Sequence, residues 1–284
     1  MGKLYVVATP IGNLSDFSKR AVETLRNSDL ILVEDTRNTI KLLNHFDIKT
    51  KMISYHKFNE TKRTSEIIQE LFNGKNISLV SDAGTPCISD PGFILINEAR
   101  KNGIEVIGIP GPSAVITSLS ISGLDTSSFT FYGFVPTNNK DKKELFDKIK
   151  NSDVSVKVIY ESPKRIIKLL EDLKNEIPNA TVCVCNELTK IHEKTIMGNV
   201  CEIYEKLLND IEVEKGEYVI LISNKVEVFE KEDQSIESLL VDILVKNKCT
   251  LKEAVNILNK ESKIYNKKEI YSAGLNLKNI FNSD

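Results

Sequence analysis

From the first residues onward, short β-branched runs alternate with amphipathic stretches, and this alternation limits the fold more than any other feature. LYVVA is followed by a helical pattern over Ser18–Asn27. LILVE is followed by another over Asn38–His45, and then comes KMISY. The series continues through a helix over Lys62–Phe72, the strand ISLVS, a helix over Gly92–Lys101, the strand IEVIG and a helix opening near Pro112. Strands alternating with helices predict a largely parallel sheet covered on both faces.

The text turns small and polar at SGLDTSS, and a second series begins with FTFYGFVP. Helical runs over Asp141–Lys150 and Lys164–Asn175 are joined there by the strands VKVIY, TVCVCN, KTIMG and YVILIS. Several of these strands follow one another directly, so this lobe is expected to be mixed rather than parallel. Beyond Lys225 the charged stretch EVFEKEDQS leads into a segment with helical patterns only. Thr250 with Glu253, and Asn266 with Glu269, have the spacing of a helix-start cap answered by a carboxylate. The expected division is therefore an N-terminal α/β lobe over 1–121, a mixed α/β lobe over 122–225, and a linker with a small basic helical domain over 226–284.

A formal net charge of −2 excludes a chain that coats nucleic acid by charge alone, so any RNA contact must be local. The tail is where basic charge collects: Lys246–Lys278 holds eight lysines against three glutamates. The cysteines Cys87, Cys183, Cys185, Cys201 and Cys249 lack the paired spacing of a zinc site, and no metal is expected. Strand alternation points Cys183 and Cys185 to one face, as core residues. The amino-terminal end carries no long apolar stretch, so neither a signal peptide nor a membrane span is expected, and the protein reads as cytoplasmic.

The chemistry-bearing residues gather at predicted strand ends. ATPIGN sets Thr9, Pro10, Ile11 and Gly12 after the first strand, where open α/β sheets bind ligands. It has neither GxGxxG nor GK[ST], so a nucleotide-triphosphate site is not supported. LVSDAGTPCISDPG sets Asp82 and Gly84 after another strand, with no Lys or Arg among its glycines. Such a loop suits a sulfonium nucleoside with a zwitterionic tail better than a pyrophosphate, and the crevice is expected to be uncharged. GIPGPSAV adds a third loop, in which Ser113 caps the next helix. VEDTRNT brings Glu34, Asp35, Thr36 and Arg37 to the same edge. His56 lies in the polar stretch SYHKFNE and is the histidine singled out as a site residue, whereas His45 reads as packed and His192 as a surface group. In the second lobe, YESPKR places Glu161 and Arg165, and CNELTKIHEK places Asn186, Glu187, Lys190 and His192.

ATPIGNLSDFS, VEDTRNTIKLLNHF, SYHKFNE, LVSDAGTPCISDPG, GIPGPSAV, FYGFVP and YESPKR, read in this order, resemble the tetrapyrrole-methylase type of class III methyltransferases. They resemble most the branch that modifies small-subunit ribosomal RNA. The likeness covers about residues 1–225 and is weaker over the tail. It implies two α/β lobes with S-adenosylmethionine folded into the cleft between them, a homodimer, and 2′-O-methylation of a cytidine in the decoding region of 16S rRNA, with the 30S particle as partner. Carried over by motif, donor contacts fall on Pro10, Ile11, Asp82, Ala83, Gly84, Thr85, Ser113, Ala114, Tyr160 and Glu161, with Gly216 and Glu217 on the far wall. The substrate side takes Arg37, His56, Asn59, Glu60 and Arg165. A ribose hydroxyl must lose its proton to react, and Asp35 and Glu187 are the candidate acceptors, with Arg37 or Arg165 holding a phosphate. PIGN in place of a glycine-rich first loop argues against a tetrapyrrole substrate. The alternatives are a small-molecule methyltransferase and a non-catalytic ribosome-binding module.

Overall fold

The computed structural model describes residues 1–224, 235–261 and 265–281. Two compact units result, Met1–Val226 and Glu227–Asp284.

The first unit opens with β1 (Leu4–Val7), α1 (Lys19–Arg26), β2 (Leu30–Val33), α2 (Thr36–His45), β3 (Met52–Ser54), α3 (Glu60–Phe72), β4 (Ile77–Leu79), α4 (Phe93–Lys101), β5 (Val106–Ile109) and α5 (Ala114–Ile121). The strands form one sheet in the order β3-β2-β4-β1-β5, and every pair is parallel. Successive side chains leave a strand on opposite faces. Leu32 accordingly joins Leu4, Ile67, Leu71 and Leu95 under α3 and α4, while Ile31 and Val33 join Leu25 and Leu43 under α1 and α2. Both faces are covered, as the unbroken apolar runs predict.

The second series comprises β6 (Phe129–Phe134), α6 (Asn139–Asn151), β7 (Val156–Glu161), α7 (Ile166–Glu176), β8 (Thr181–Asn186), β9 (Lys194–Asn199), α8 (Val200–Leu208) and β10 (Tyr218–Ser223). Its sheet runs β6-β7-β10-β8-β9. Only β6 and β7 are parallel; the remaining pairs are antiparallel. Helices α6, α7 and α8 pack on one face. The other face is covered by Val115 and Leu119 of α5, over Val158, Cys183, Cys185 and Leu221. Cys183 and Cys185 are both free, buried and on this one face.

Two features differ from the sequence expectation. Between KTIMG and YVILIS, where no helix is expected, lies α8; Asn199 accepts from the Cys201 N–H at 2.9 Å and starts it there. Helix α5 belongs by sequence to the first lobe, yet it packs on the second sheet. Its buried apolar residues Val115 and Leu119 lie on the face turned to that sheet.

The second unit holds α9 (Ile236–Asn247), α10 (Leu251–Glu261) and α11 (Lys267–Phe281), packed around Leu240, Ala254, Leu258, Ile270 and Leu277. Both expected caps form: Glu253 accepts from the Thr250 N–H at 2.8 Å, and Glu269 from the Asn266 N–H at 3.0 Å. Among the described residues no helix is long and apolar enough to cross a membrane.

Candidate active site

Strands β4, β1 and β5 are neighbours in the first sheet, so the loops that follow them emerge side by side although the chain separates them widely. Hydrogen bonds join the three loops. Thr9 and Gly84 exchange backbone bonds, N–H to carbonyl, at 2.9 and 3.1 Å. Thr85 Oγ1 donates to the Pro112 carbonyl at 3.1 Å, and Ser113 caps α5. Gly84 has φ of 82°, a left-handed conformation that glycine adopts without strain, and a Cβ there would stand 3.3 Å from the Ile11 side chain.

Facing these loops is one edge of the second sheet. β10 runs antiparallel to both β7 and β8, so Tyr218 at its start pairs with Glu161 at the end of β7 and Asn186 at the end of β8. Three strand termini meet there. Between the loops and this edge lies a cleft of about 440 Å³. Its near wall is Ile11, Asp82–Thr85, Ile88–Asp90, Ser113 and Ala114; its far wall is Tyr160–Pro163, Leu188 and Glu217–Val219, with Phe134. The Tyr160 ring stands edge-on to Phe131 and Phe134, with centroids 4.8 and 5.4 Å away.

The charged side chains lining the cleft are Asp82, Asp90, Glu161 and Glu217, all acidic. This corrects the expectation of an uncharged crevice. Glu161 is buried and accepts from Arg165 at 2.6 Å and from the Ser162 N–H at 2.6 Å. Asp82 accepts from the Asp35 N–H at 3.2 Å and from Asn38 Nδ2 at 2.9 Å, which ties the start of α2 to the cleft. Burial, and then the neighbouring Asp82 carboxylate, push the Asp90 pKa above the usual aspartate range. Glu34 is raised likewise, by burial first and then by Asp90 and Asp82. Burial pushes the Tyr160 phenol up to about 12.

Ten residues expected at the donor site line this cleft: Ile11, Asp82, Ala83, Gly84, Thr85, Ser113, Ala114, Tyr160, Glu161 and Glu217. Pro10 and Gly216 do not line it; they adjoin residues that do. Gly216 has φ of 80°, and a Cβ there would meet the Glu187 side chain at 2.4 Å.

The expected proton acceptors are placed differently. The Asp35 carboxylate caps α2 and pairs with Arg37 at 2.6 Å; hydrogen bonds from Arg37 hold its pKa down at about 2. Glu187 turns behind the far wall, where its carboxylate accepts from Lys190 Nζ at 2.7 Å and from the Glu217 N–H at 3.1 Å. Neither lines the cleft. A carboxylate held near pKa 2 is a weak base.

Among the substrate-side residues, His56 and Asn59 bond to each other, with the His56 N–H donating to Asn59 Oδ1 at 2.8 Å. Arg37 is almost fully exposed, and Arg165 is committed to Glu161. Glu60 is buried, and its Oε1 accepts from Tyr55 Oη at 3.2 Å and from the Gly92 and Ile94 N–H groups at 2.9 and 3.3 Å, anchoring the start of α4. Asp90 is the lining carboxylate that sequence reasoning passed over. Its signal was present as the second acid of LVSDAGTPCISDPG, directly before the Pro91–Gly92 turn.

The family model for the Tetrapyrrole (Corrin/Porphyrin) Methylases matches residues 3–204. A protein of Halalkalibacterium halodurans, "Ribosomal RNA small subunit methyltransferase I", is 44% identical over 238 residues, 84% of this chain and 81% of its own length. A protein of Thermotoga maritima with the same name is 42% identical over 227 residues; the match takes in 100% of that protein and 79% of this chain, so about a fifth of this chain has no counterpart there. In fold, the chain is similar to uroporphyrin-III C-methyltransferase from Thermus thermophilus, solved in complex with S-adenosylhomocysteine, with a TM-score of 0.54 and 15% identity over 80% of this chain and 100% of that one. The chain belongs to the tetrapyrrole (corrin/porphyrin) methylase family, and within it to the ribosomal RNA small subunit methyltransferase I group.

Proposed function

We propose that this enzyme transfers the methyl group of S-adenosylmethionine to the ribose 2′-hydroxyl of a cytidine in the decoding region of small-subunit ribosomal RNA. The observation that carries the reading is the cleft in which three loops from adjacent parallel strands face an edge made of three strand termini, lined by carboxylates and by no cation. That lining suits a ligand bearing a sulfonium and an ammonium and disfavours a pyrophosphate. Its volume falls within the usual range for sites that enclose a molecule of this size.

The donor contacts are Ile11, Asp82, Ala83, Gly84, Thr85, Ser113, Ala114, Tyr160, Glu161 and Glu217, with Pro10 and Gly216 shaping the loops that present them. The bound donor supplies an electrophilic methyl group, so the chain's task is to hold the acceptor oxygen in line, exclude water and take up one proton. Asp90 is the proton acceptor in this reading, in place of Asp35 and Glu187. It lines the cleft, and its raised pKa makes it a better base than an ordinary aspartate. Asp35, Arg37, His56 and Asn59 form the acceptor-side rim, where the exposed Arg37, paired with Asp35, meets a phosphate through its remaining N–H donors. The lysines of the helical tail add sequence-independent phosphate contacts on the 30S particle. The enzyme acts in the cytoplasm as a homodimer.

Calorimetry with S-adenosylhomocysteine and transfer of labelled methyl to purified 30S particles test this together. Label recovered in a low-mass product would point instead to a small-molecule methyltransferase. Absence of donor binding would point to a non-catalytic ribosome-binding module. Mass mapping of 16S rRNA from cells with and without the gene identifies the nucleotide.

A further inference from the structure

We propose that Lys190 is a positioning residue that holds the first loop of the donor cleft against its far wall, so that a side chain outside the cleft sets donor affinity. The inference rests on the donor-cleft reading above.

The turn that carries Lys190 is unusual in its backbone. Glu187 and Thr189 both have left-handed φ, of 54° and 66°, a conformation that costs energy for any residue with a side chain. Its own contacts hold it there: the Glu187 N–H donates to the Glu217 carbonyl at 3.1 Å, the Lys190 N–H to the Glu187 carbonyl at 3.0 Å, and the Thr189 N–H to Glu193 Oε2 at 2.5 Å. Between the two strained residues sits Leu188, buried, lining the cleft and sharing a core cluster with Val219 and with Ile11 of the first loop. The turn therefore places a piece of the far wall.

Lys190 links this turn to the opposite side. Its Nζ lies 2.7 Å from Glu187 Oε1 and 3.2 Å from Glu217 Oε2, and Glu217 itself lines the cleft. Burial works against the ammonium, but Glu187 and Glu217 outweigh it and keep the group charged. The aliphatic stem lies on Gly12, where a Cβ would stand 2.4 Å from Lys190 Cγ. Gly12 has no left-handed φ, so its missing side chain answers a need for space rather than for conformation. Gly216, on the other flank, leaves the room that Glu187 occupies. Two positions without a side chain thus receive the two ends of one ion pair, and the first loop and the far wall are joined through it.

The test is a double-mutant cycle on the full chain, with Gly12→Ala, Lys190→Ala and both together. S-adenosylhomocysteine affinity is read by calorimetry, and KM for S-adenosylmethionine and kcat are read on 30S particles. Gly12→Ala is expected to weaken binding about tenfold, because the lysine stem must leave its seat. Lys190→Ala is expected to weaken it roughly three- to tenfold. The double variant binds like Lys190→Ala alone, since the stem that clashed is gone. KM for the donor rises in step, while kcat at saturating donor stays within about twofold of wild type. Lys190→Met keeps the stem and loses the charge, and gives a folded variant with weakened binding if the alanine does not fold. Additive penalties, unchanged affinity in the single variants, or a loss confined to kcat would each overturn the proposal. A wild-type chain that binds no S-adenosylhomocysteine would instead remove the donor-cleft reading, and this inference with it.

Discussion

The two sheets of the first unit build opposite walls of one cleft by different means. In the parallel sheet every strand ends at the same edge, so each wall segment is a continuous loop running from a strand into a helix, and the site follows from which strands are neighbours. In the mixed sheet the wall is made where β10 begins between the ends of β7 and β8, and residues far apart in the chain meet through antiparallel register. The loop wall carries the perturbed carboxylate Asp90 and the Asp82 that perturbs it. The strand wall carries the aromatic group around Tyr160, the buried Leu188 and the Glu161–Arg165 pair. Loops can present reactive groups because a rigid sheet holds their ends, while strand termini give a firm surface.

Five substitutions test this division of labour, in descending size. Asp90→Asn on the loop wall is expected to lower kcat by about a hundredfold or more while changing donor affinity little. Because Asp90 must be ionised to accept a proton, wild-type kcat should fall as pH drops through its raised pKa. Asp82→Asn removes the neighbouring charge and should move that limb to lower pH, and Asp90→Asn should abolish it. A pH profile unaltered by both changes would break the assignment. Leu188→Ala on the strand wall is expected to cost about 2 kcal/mol of stability, read in denaturant unfolding, and to raise KM for the donor without a comparable loss of kcat. Arg165→Ala leaves the buried Glu161 carboxylate without its cation and should destabilise by about 1–2 kcal/mol; a loss of kcat at unchanged stability would return Arg165 to the substrate side. Thr250→Ala removes a cap in the helical unit and should cost that unit about 1 kcal/mol, with donor binding unaffected by calorimetry.

The parallel sheet was legible in the sequence because apolar runs, caps and glycine loops alternate locally. The loops at Ile11, Asp82 and Ser113 were placed correctly at strand ends, and the caps at Ser113, Thr250 and Asn266 are all present. What the sequence does not carry depends on long-range placement. Asp35 looked like a site acid because acids that start a helix and acids that do chemistry have the same local text; the Arg37 pairing that lowers its pKa is visible only in the fold. The resemblance sets Glu60 on the substrate side, and only the fold shows its carboxylate bonded to the start of a helix more than thirty residues away in the chain. Asp90 stands in the same stretch, LVSDAGTPCISDPG, as Asp82. Its difference from Asp82 lies in burial, which no spacing encodes.

The carboxylate lining also constrains the shape in which an acceptor can arrive. A polynucleotide carries a negative charge at every step, and Asp82 and Asp90, which line the cleft with no cation paired to them there, disfavour that backbone in the interior, while Glu161 and Glu217 are already paired with Arg165 and Lys190. The sugar–phosphate chain must therefore pass along the rim while a single nucleoside swings out of its stack to reach the methyl group. A paired, continuously stacked helix is then a poor acceptor, and a strained or unpaired nucleotide in folded RNA a good one.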